Sequence, residues 1–206
     1  MTLKVKICGI TNVEDALAAA ELGASAVGFI FYEGSSRCVE RNTVRTIAKK
    51  IPPFVTRVGV FVDEDAEVIR RTVAYCRLDA VQLHGSEPYD FAKRLDCRAI
   101  KTIRPRSHAD LKEIPNYHVS AVLLDTYHED LAGGTGQTFD WSWAAEAKAF
   151  GRPILLSGGL TPENVAEAVG RVRPYAVDAS SGVESSVGKK DMAKMKAFIE
   201  AAKGAE

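Results

Sequence analysis

The sequence predicts a parallel (β/α)8 barrel of the TIM-barrel class, a single domain over residues 1–206, on three observations. Short apolar runs bounded by turn residues recur eight times, their centres about 24 residues apart, with helical patterns between most of them. The runs are continuous instead of alternating, as expected for strands covered on both faces. Polar residues suited to chemistry follow nearly every run, where a barrel would gather them at one rim. A doubly wound open sheet is the alternative, but it usually needs fewer strands and offers one crevice at its switch point.

Taken in order, the strands are expected at 5–8, 26–31, 55–62, 80–83, 99–103, 119–124, 153–156 and 175–177. The helices are expected at 13–22, 42–50, 65–75, 88–94, 141–150, 162–169 and 191–202, with the fifth crossover, near 107–114, the least regular. In the first unit Thr11 and Glu14 have the T-x-x-E spacing of a capping box, so a helix begins just after Cys8. In the seventh, SGGLTPENV opens a helix at Thr161 with Pro162 at its first position. The longest irregular stretch, 127–138, holds GGTG and reads as an active-site loop. Trp141 and Trp143 read as helix packing.

Composition narrows the function. Lys plus Arg and Asp plus Glu are both 27, so there is no broad basic field for nucleic acid or an anionic membrane. No apolar run approaches the roughly 20 residues that span a bilayer. Cys8, Cys38, Cys76 and Cys97 form no CxxC pair and no zinc-type spacing, and the N-terminus does not resemble a signal peptide, so a reducing cytoplasm is expected. Cys38, Cys76 and Cys97 read as packing residues.

The strand ends suggest the chemistry. Gly158 and Gly159, ahead of a helix start, let backbone N–H groups approach an anion, and Ser180, Ser181 and Gly182 after the eighth run add to a phosphate site between strands seven and eight. Gly134 and Gly136 of GGTG can supply further amides. Any one glycine pair is also compatible with a plain turn; three such segments at matched strand ends point to a phosphorylated small molecule. Cys8 has two readings, a thiolate base poised by a helix N-terminus or a small buried hydrophobe. Asp125 ends an apolar run, where desolvation favours an acid role, although a turn aspartate fits the same local sequence. Arg37 suits a bidentate grip on a carboxylate or an ordinary surface charge, and His84 a site or a structural role.

KICGIT, GFIF followed by SSRCV, RVGVFVD, VQLHG, LLDT, GGTGQTFDW, LLSGGL and DASSGVE with GKKD run in order over residues 4–191, and together they resemble the phosphoribosylanthranilate isomerase family. The resemblance implies an Amadori rearrangement of N-(5-phosphoribosyl)anthranilate in tryptophan biosynthesis, without metal or organic cofactor. It implies Cys8 as general base, Asp125 as general acid and Arg37 as the contact for the anthranilate carboxylate. The family commonly carries proline at the positions of Glu33 and Ser36, an aromatic residue at Cys38 and lysine at Gln137; these departures sit near the substrate loop. An isomerase of histidine biosynthesis performs the same chemistry with two aspartates, which Cys8 argues against, and a catalytically silent phosphosugar-binding barrel is disfavoured by the presence of both proton-transfer residues. A monomer or a homodimer is expected.

Overall fold

In the computed structural model, which describes residues 2–125 and 141–205, eight parallel strands close into a barrel in sequence order. They are β1 (Lys4–Ile7), β2 (Ala26–Ile30), β3 (Thr56–Phe61), β4 (Ala80–Leu83), β5 (Arg98–Ile103), β6 (Ala121–Leu124), β7 (Ile154–Leu156) and β8 (Ala176–Ala179). Closure is made by β1 and β8, where Lys4 stands opposite Ala176 and Lys6 opposite Asp178. Each expected strand is present, with both ends within two residues of the expected ones.

Because side chains alternate across a strand, residues two apart share the barrel interior. One end of that interior holds a small apolar cluster of Ala121, Leu123, Leu155 and Ala176, with Ile100 packed against it. Toward the C-terminal ends of the strands the interior turns polar, with Lys6, Gln82, Thr102 and Asp178 all buried. The outward-facing residues, among them Ile7, Val27, Phe29, Val81, Leu83, Val122 and Leu124, are buried beneath the helices in the main core. That double burial is why the strands read as unbroken apolar runs.

The helical layer comprises α1 (Val13–Glu21), α2 (Arg41–Ala48), α3 (Ala66–Cys76), α4 (His108–Leu111), α5 (Trp141–Ala147), α6 (Val165–Val172) and α7 (Met192–Gly204). Four expectations are corrected. The cap of α1 is Asn12, not Thr11: Asn12 Oδ1 accepts from the Asp15 N–H at 2.8 Å, while the Thr11 hydroxyl is drawn away to the Gly188 carbonyl. Helix α6 starts at Val165, because Asn164 folds back to accept from the Thr161 N–H and to donate to the Gly159 carbonyl, holding 161–163 in a turn. The fourth crossover is only a 3-10 turn, Phe91–Arg94, and the fifth is one helical turn followed by another 3-10 turn at Ile114–Asn116. Trp141 and Trp143 pack against the core, as expected. Cys38 is exposed and is not a packing residue; neighbouring Val39 takes the buried position and its N–H bonds to the Ile30 carbonyl.

After β8 the chain forms a short antiparallel hairpin of β9 (Glu184–Ser186) and β10 (Lys189–Lys190). The hairpin is tied to the first unit, since Asp15 Oδ2 accepts from the Lys190 N–H at 2.8 Å and Thr11 donates to Gly188 at 2.6 Å. Thus the last strand's loop sits against the KICGIT segment that leads from β1 to α1.

Candidate active site

Cys8 continues β1, with its N–H donating to Ala179 of β8 at 2.8 Å, and its side chain is buried in the barrel mouth. Two residues back on the same face, Lys6 donates to Asp178 at 2.8 Å. Both chains fit because β2 carries glycine opposite them: a Cβ at Gly28 would stand 2.7 Å from Cys8 Sγ and 3.2 Å from Lys6 Cε. Burial pushes the Cys8 thiol up, Lys6 opposes that rise and Asp178 adds to it. Burial works against the charge of Lys6, but Asp178 and Cys8 outweigh it and hold the ammonium above its usual range. Burial likewise pushes Asp178 up, with Lys6 pulling the other way.

Across the barrel, Asp125 follows β6 with its N–H donating to Ile103, and its carboxylate lies 3.5 Å from His84 Nε2. Gln82 Nε2 lies 3.0 Å and Thr102 Oγ1 3.2 Å from His84 Nδ1. With the Gln82 amide donating to Nδ1, the neutral imidazole carries its proton on Nε2, the nitrogen that faces Asp125. The segment after His84 is clamped from the outer side of the barrel, where buried Lys101 binds Glu87 and the Gly85 carbonyl, and Glu87 accepts from the Gly85 and Asp63 N–H groups.

Arg37, in the loop after β2, reaches over to the β8 side. Its Nε and Nη2 donate to the two oxygens of Glu184 at 2.8 Å each, and Lys190 Nζ donates to the same carboxylate at 2.9 Å and to the Ser180 carbonyl at 3.1 Å. Burial would raise the Glu184 carboxyl, yet the Arg37 and Lys190 hydrogen bonds hold it below its usual range. Gly9 lies beneath, with φ of 72°, and a Cβ there would meet Arg37 Cδ at 2.8 Å and Ser180 Oγ at 2.9 Å.

The glycines of the loops after β7 and β8 are needed as glycines. Gly158 and Gly159 have φ of 86° and 64°, the left-handed region, and a Cβ on Gly182 would stand 2.1 Å from the Leu160 carbonyl oxygen. The loops after β7 and β8 therefore meet backbone to backbone. Together with Ser180 and Ser181 they wall one side of a pocket whose other sides are Cys8, Arg37, His84 and Asp125. Ser157 and Asp178 join them, 3.5 Å apart.

So the structure brings Cys8, Arg37, His84, Asp125, Gly158, Gly159, Ser180, Ser181 and Gly182 to one pocket. Gly134 and Gly136 lie outside the described residues. Asp63 and Arg104, which also follow strands, do not line it: Asp63, with φ of 49°, accepts from the Ser86 N–H, and Arg104 buries Nε and Nη2 without a partner among the described residues. Lys6, Gly28, Gln82, Thr102, Glu184 and Lys190 were not singled out for the site by the sequence; for Lys6 and Gln82 the signal was present, since each stands two residues before a site residue on the same strand face. Among the described residues no cluster of three His, Cys, Asp or Glu side chains is placed to hold a metal ion, and no helix is long and apolar enough to cross a membrane.

Comparison with known proteins agrees with this fold. The family model described as N-(5'phosphoribosyl)anthranilate (PRA) isomerase matches residues 5–201. The N-(5'-phosphoribosyl)anthranilate isomerase of Geobacter sulfurreducens is 50% identical over 202 residues, covering 98% of this chain and 99% of that one. That of Geobacter metallireducens is 51% identical over 201 residues, with 98% and 99% covered. The crystal structure of the Thermotoga maritima phosphoribosyl anthranilate isomerase superposes with a TM-score of 0.92 at 46% identity, covering 98% of this chain and 99% of that one. Another structure of that enzyme, in complex with reduced 1-(o-carboxyphenylamino)-1-deoxyribulose 5-phosphate, gives 0.89 at 46% identity, with the same coverage. By the match of the family model along nearly its whole length and by relatives at half identity, the chain belongs to the phosphoribosylanthranilate isomerase family.

Proposed function

We propose that Cys8 and Asp125 divide the proton transfers of the Amadori rearrangement that this enzyme of tryptophan biosynthesis performs, converting N-(5'-phosphoribosyl)anthranilate to 1-(2-carboxyphenylamino)-1-deoxyribulose 5-phosphate. One observation carries the assignment: a thiol after strand one and a carboxyl after strand six, both buried, face one pocket whose remaining wall is formed by the glycine- and serine-bearing loops after strands seven and eight. In the first step the Asp125 carboxyl gives its proton to the furanose ring oxygen as the anilino nitrogen lone pair expels it, breaking the C1–O bond and leaving a Schiff base. In the second, the Cys8 thiolate takes the C2 proton, the C–H electron pair forms C1=C2 as the C=N pair returns to nitrogen, and the resulting aminoenol becomes the ketone by gaining a proton at C1 and losing the proton of its C2 hydroxyl. Nothing is oxidised or reduced overall, so no redox partner enters the balance.

The other residues hold the substrate. Gly158, Gly159, Ser180, Ser181 and Gly182 take the phosphate, with Gly134 and Gly136 assigned there from sequence. Arg37 takes the anthranilate carboxylate with Nη1, the guanidinium nitrogen not engaged by Glu184. His84 binds near the transferred proton through its contact to Asp125. The whole barrel acts as one catalytic domain, as a monomer or a homodimer. Four free thiols suit a reducing cytoplasm, and zero formal charge suits a small-molecule partner over nucleic acid.

The test is turnover of the purified protein. Cys8→Ala and Asp125→Asn should each cut kcat by at least about a hundredfold while product-analogue binding stays near parental. Near-normal kcat in either variant would remove that residue from its role. Turnover of the aminoimidazole ribotide of histidine biosynthesis at a comparable rate would break the specificity assigned to Arg37.

A further inference from the structure

We infer that Glu184 is the positioning residue that sets the carboxylate contact: it stretches Arg37 across the pocket mouth and fixes the plane of its guanidinium, so recognition of an acidic aglycone depends on the hairpin after strand eight. This rests on the assignment of Arg37 to the anthranilate carboxylate. Arg37 belongs to the loop after β2, 147 residues away in sequence, yet Glu184 receives both Nε and Nη2 in a fork at 2.8 Å each. A bidentate pair defines the orientation of a planar cation in a way a single bond does not. With Nε and Nη2 committed, Nη1 is left, and Arg37 still lines the pocket.

Glu184 is itself held on the far side. Lys190 binds it at 2.9 Å, and Lys194 Nζ donates to its backbone carbonyl at 2.9 Å. Asp15 anchors the Lys190 backbone to the first unit, while the Arg37 stem lies over Gly9, next to Cys8. Charge adds a second reason. Arg37, Lys190 and Glu184 together carry one net positive charge around a largely buried carboxylate. A ligand carboxylate at Arg37 completes the neutralisation; a neutral aniline ring would not. Lys190 also binds the Ser180 carbonyl, so the same network ties the acidic end of the pocket to its phosphate end.

The experiment is steady-state kinetics of Glu184→Gln, Arg37→Met and the double variant on N-(5'-phosphoribosyl)anthranilate. Glu184→Gln, which keeps the shape but turns one acceptor into a donor facing Arg37, should raise KM about tenfold or more with kcat within about threefold. In the Arg37→Met background the same change should add almost nothing, because the residue acts through Arg37. If Glu184→Gln folds poorly by circular dichroism, Glu184→Asp keeps the charge and shortens the arm, and should show the same KM rise with little change in kcat. Parental KM in the folded Glu184 variants, additive effects in the double variant, or a fall in kcat with KM unchanged would each overturn the inference. If Arg37→Met leaves KM unchanged, the Arg37 assignment fails and this inference with it; if Arg37→Met raises KM and Glu184→Gln does not, only the inference about Glu184 falls.

Discussion

Gly28→Ala tests whether the Cys8 thiol, proposed as the base, is placed by the absence of a side chain on the neighbouring strand. The added methyl carbon would stand 2.7 Å from Cys8 Sγ, 3.2 Å from Cys8 Cα and 3.2 Å from Lys6 Cε. Ordinary non-bonded carbon contacts lie near about 3.5–4 Å, so Sγ must retreat by roughly 1 Å. Overpacking of this kind costs about 1–3 kcal/mol. Replacing glycine by alanine within a strand returns about 0.5–1 kcal/mol through the unfolded chain. The net loss of stability is then about 0–2.5 kcal/mol, a fall in Tm of at most about 10 °C at this size. A displacement of about 1 Å at a reacting group costs about a hundredfold in rate. Turnover should therefore fall about a hundredfold in an enzyme that still melts cooperatively and binds a phosphorylated product analogue. Turnover within about threefold of the parent, with Cys8 alkylation unaltered, would refute the idea that Gly28 makes room for the thiol.

The remaining predictions are briefer. Burial already holds the Cys8 thiol up and Lys6 opposes it, so Lys6→Met should move the midpoint of the Cys8 alkylation rate against pH further upward. The thiolate exists above that midpoint, so alkylation at a fixed pH near 8 should slow; an unchanged or lowered midpoint would show that Lys6 does not bear on the thiol. In the parent, kcat should rise with pH where the thiolate forms, an ascending limb that Cys8→Ala abolishes. Lys101→Met strands the Glu87 carboxylate in a buried site and should cost about 3–5 kcal/mol in denaturant unfolding; a loss under about 1 kcal/mol would mean that the clamp behind His84 is not energetically coupled. Gly182→Ala drives a methyl into the Leu160 carbonyl, so it should force the loops after β7 and β8 apart and weaken inorganic phosphate as a competitive inhibitor about tenfold or more. Parental inhibition would place the phosphate elsewhere.

Much of the architecture was legible because it follows from local pattern. A strand buried on both faces must be apolar throughout, and eight such runs with helical spacers have few ways to pack. What escaped was the choice between neighbouring signals. Thr11 and Asn12 are both competent caps, and the hairpin decides by taking the Thr11 hydroxyl for Gly188. Thr161 with Pro162 reads as a helix start, yet the Asn164 side chain closes a turn first. At the site, Cys8 and Asp125 stood out by chemistry at strand ends, whereas Asp63 stood at an equivalent place and turned away, because Ser86 and Glu87 claim it.

By itself, then, the sequence determined what depends on periods of a few residues and on the chemistry of single side chains: the (β/α)8 order, a thiol after strand one, a carboxyl after strand six, and glycines in the loops after strands seven and eight. Tertiary structure alone decided which groups meet. Lys6 finds Asp178 across 172 residues and Arg37 finds Glu184 across 147. Such pairs leave no local trace, because either partner is as well solvated in the unfolded chain as any charged residue. They exist only once barrel closure brings β1 beside β8 and removes the water that would otherwise satisfy each charge.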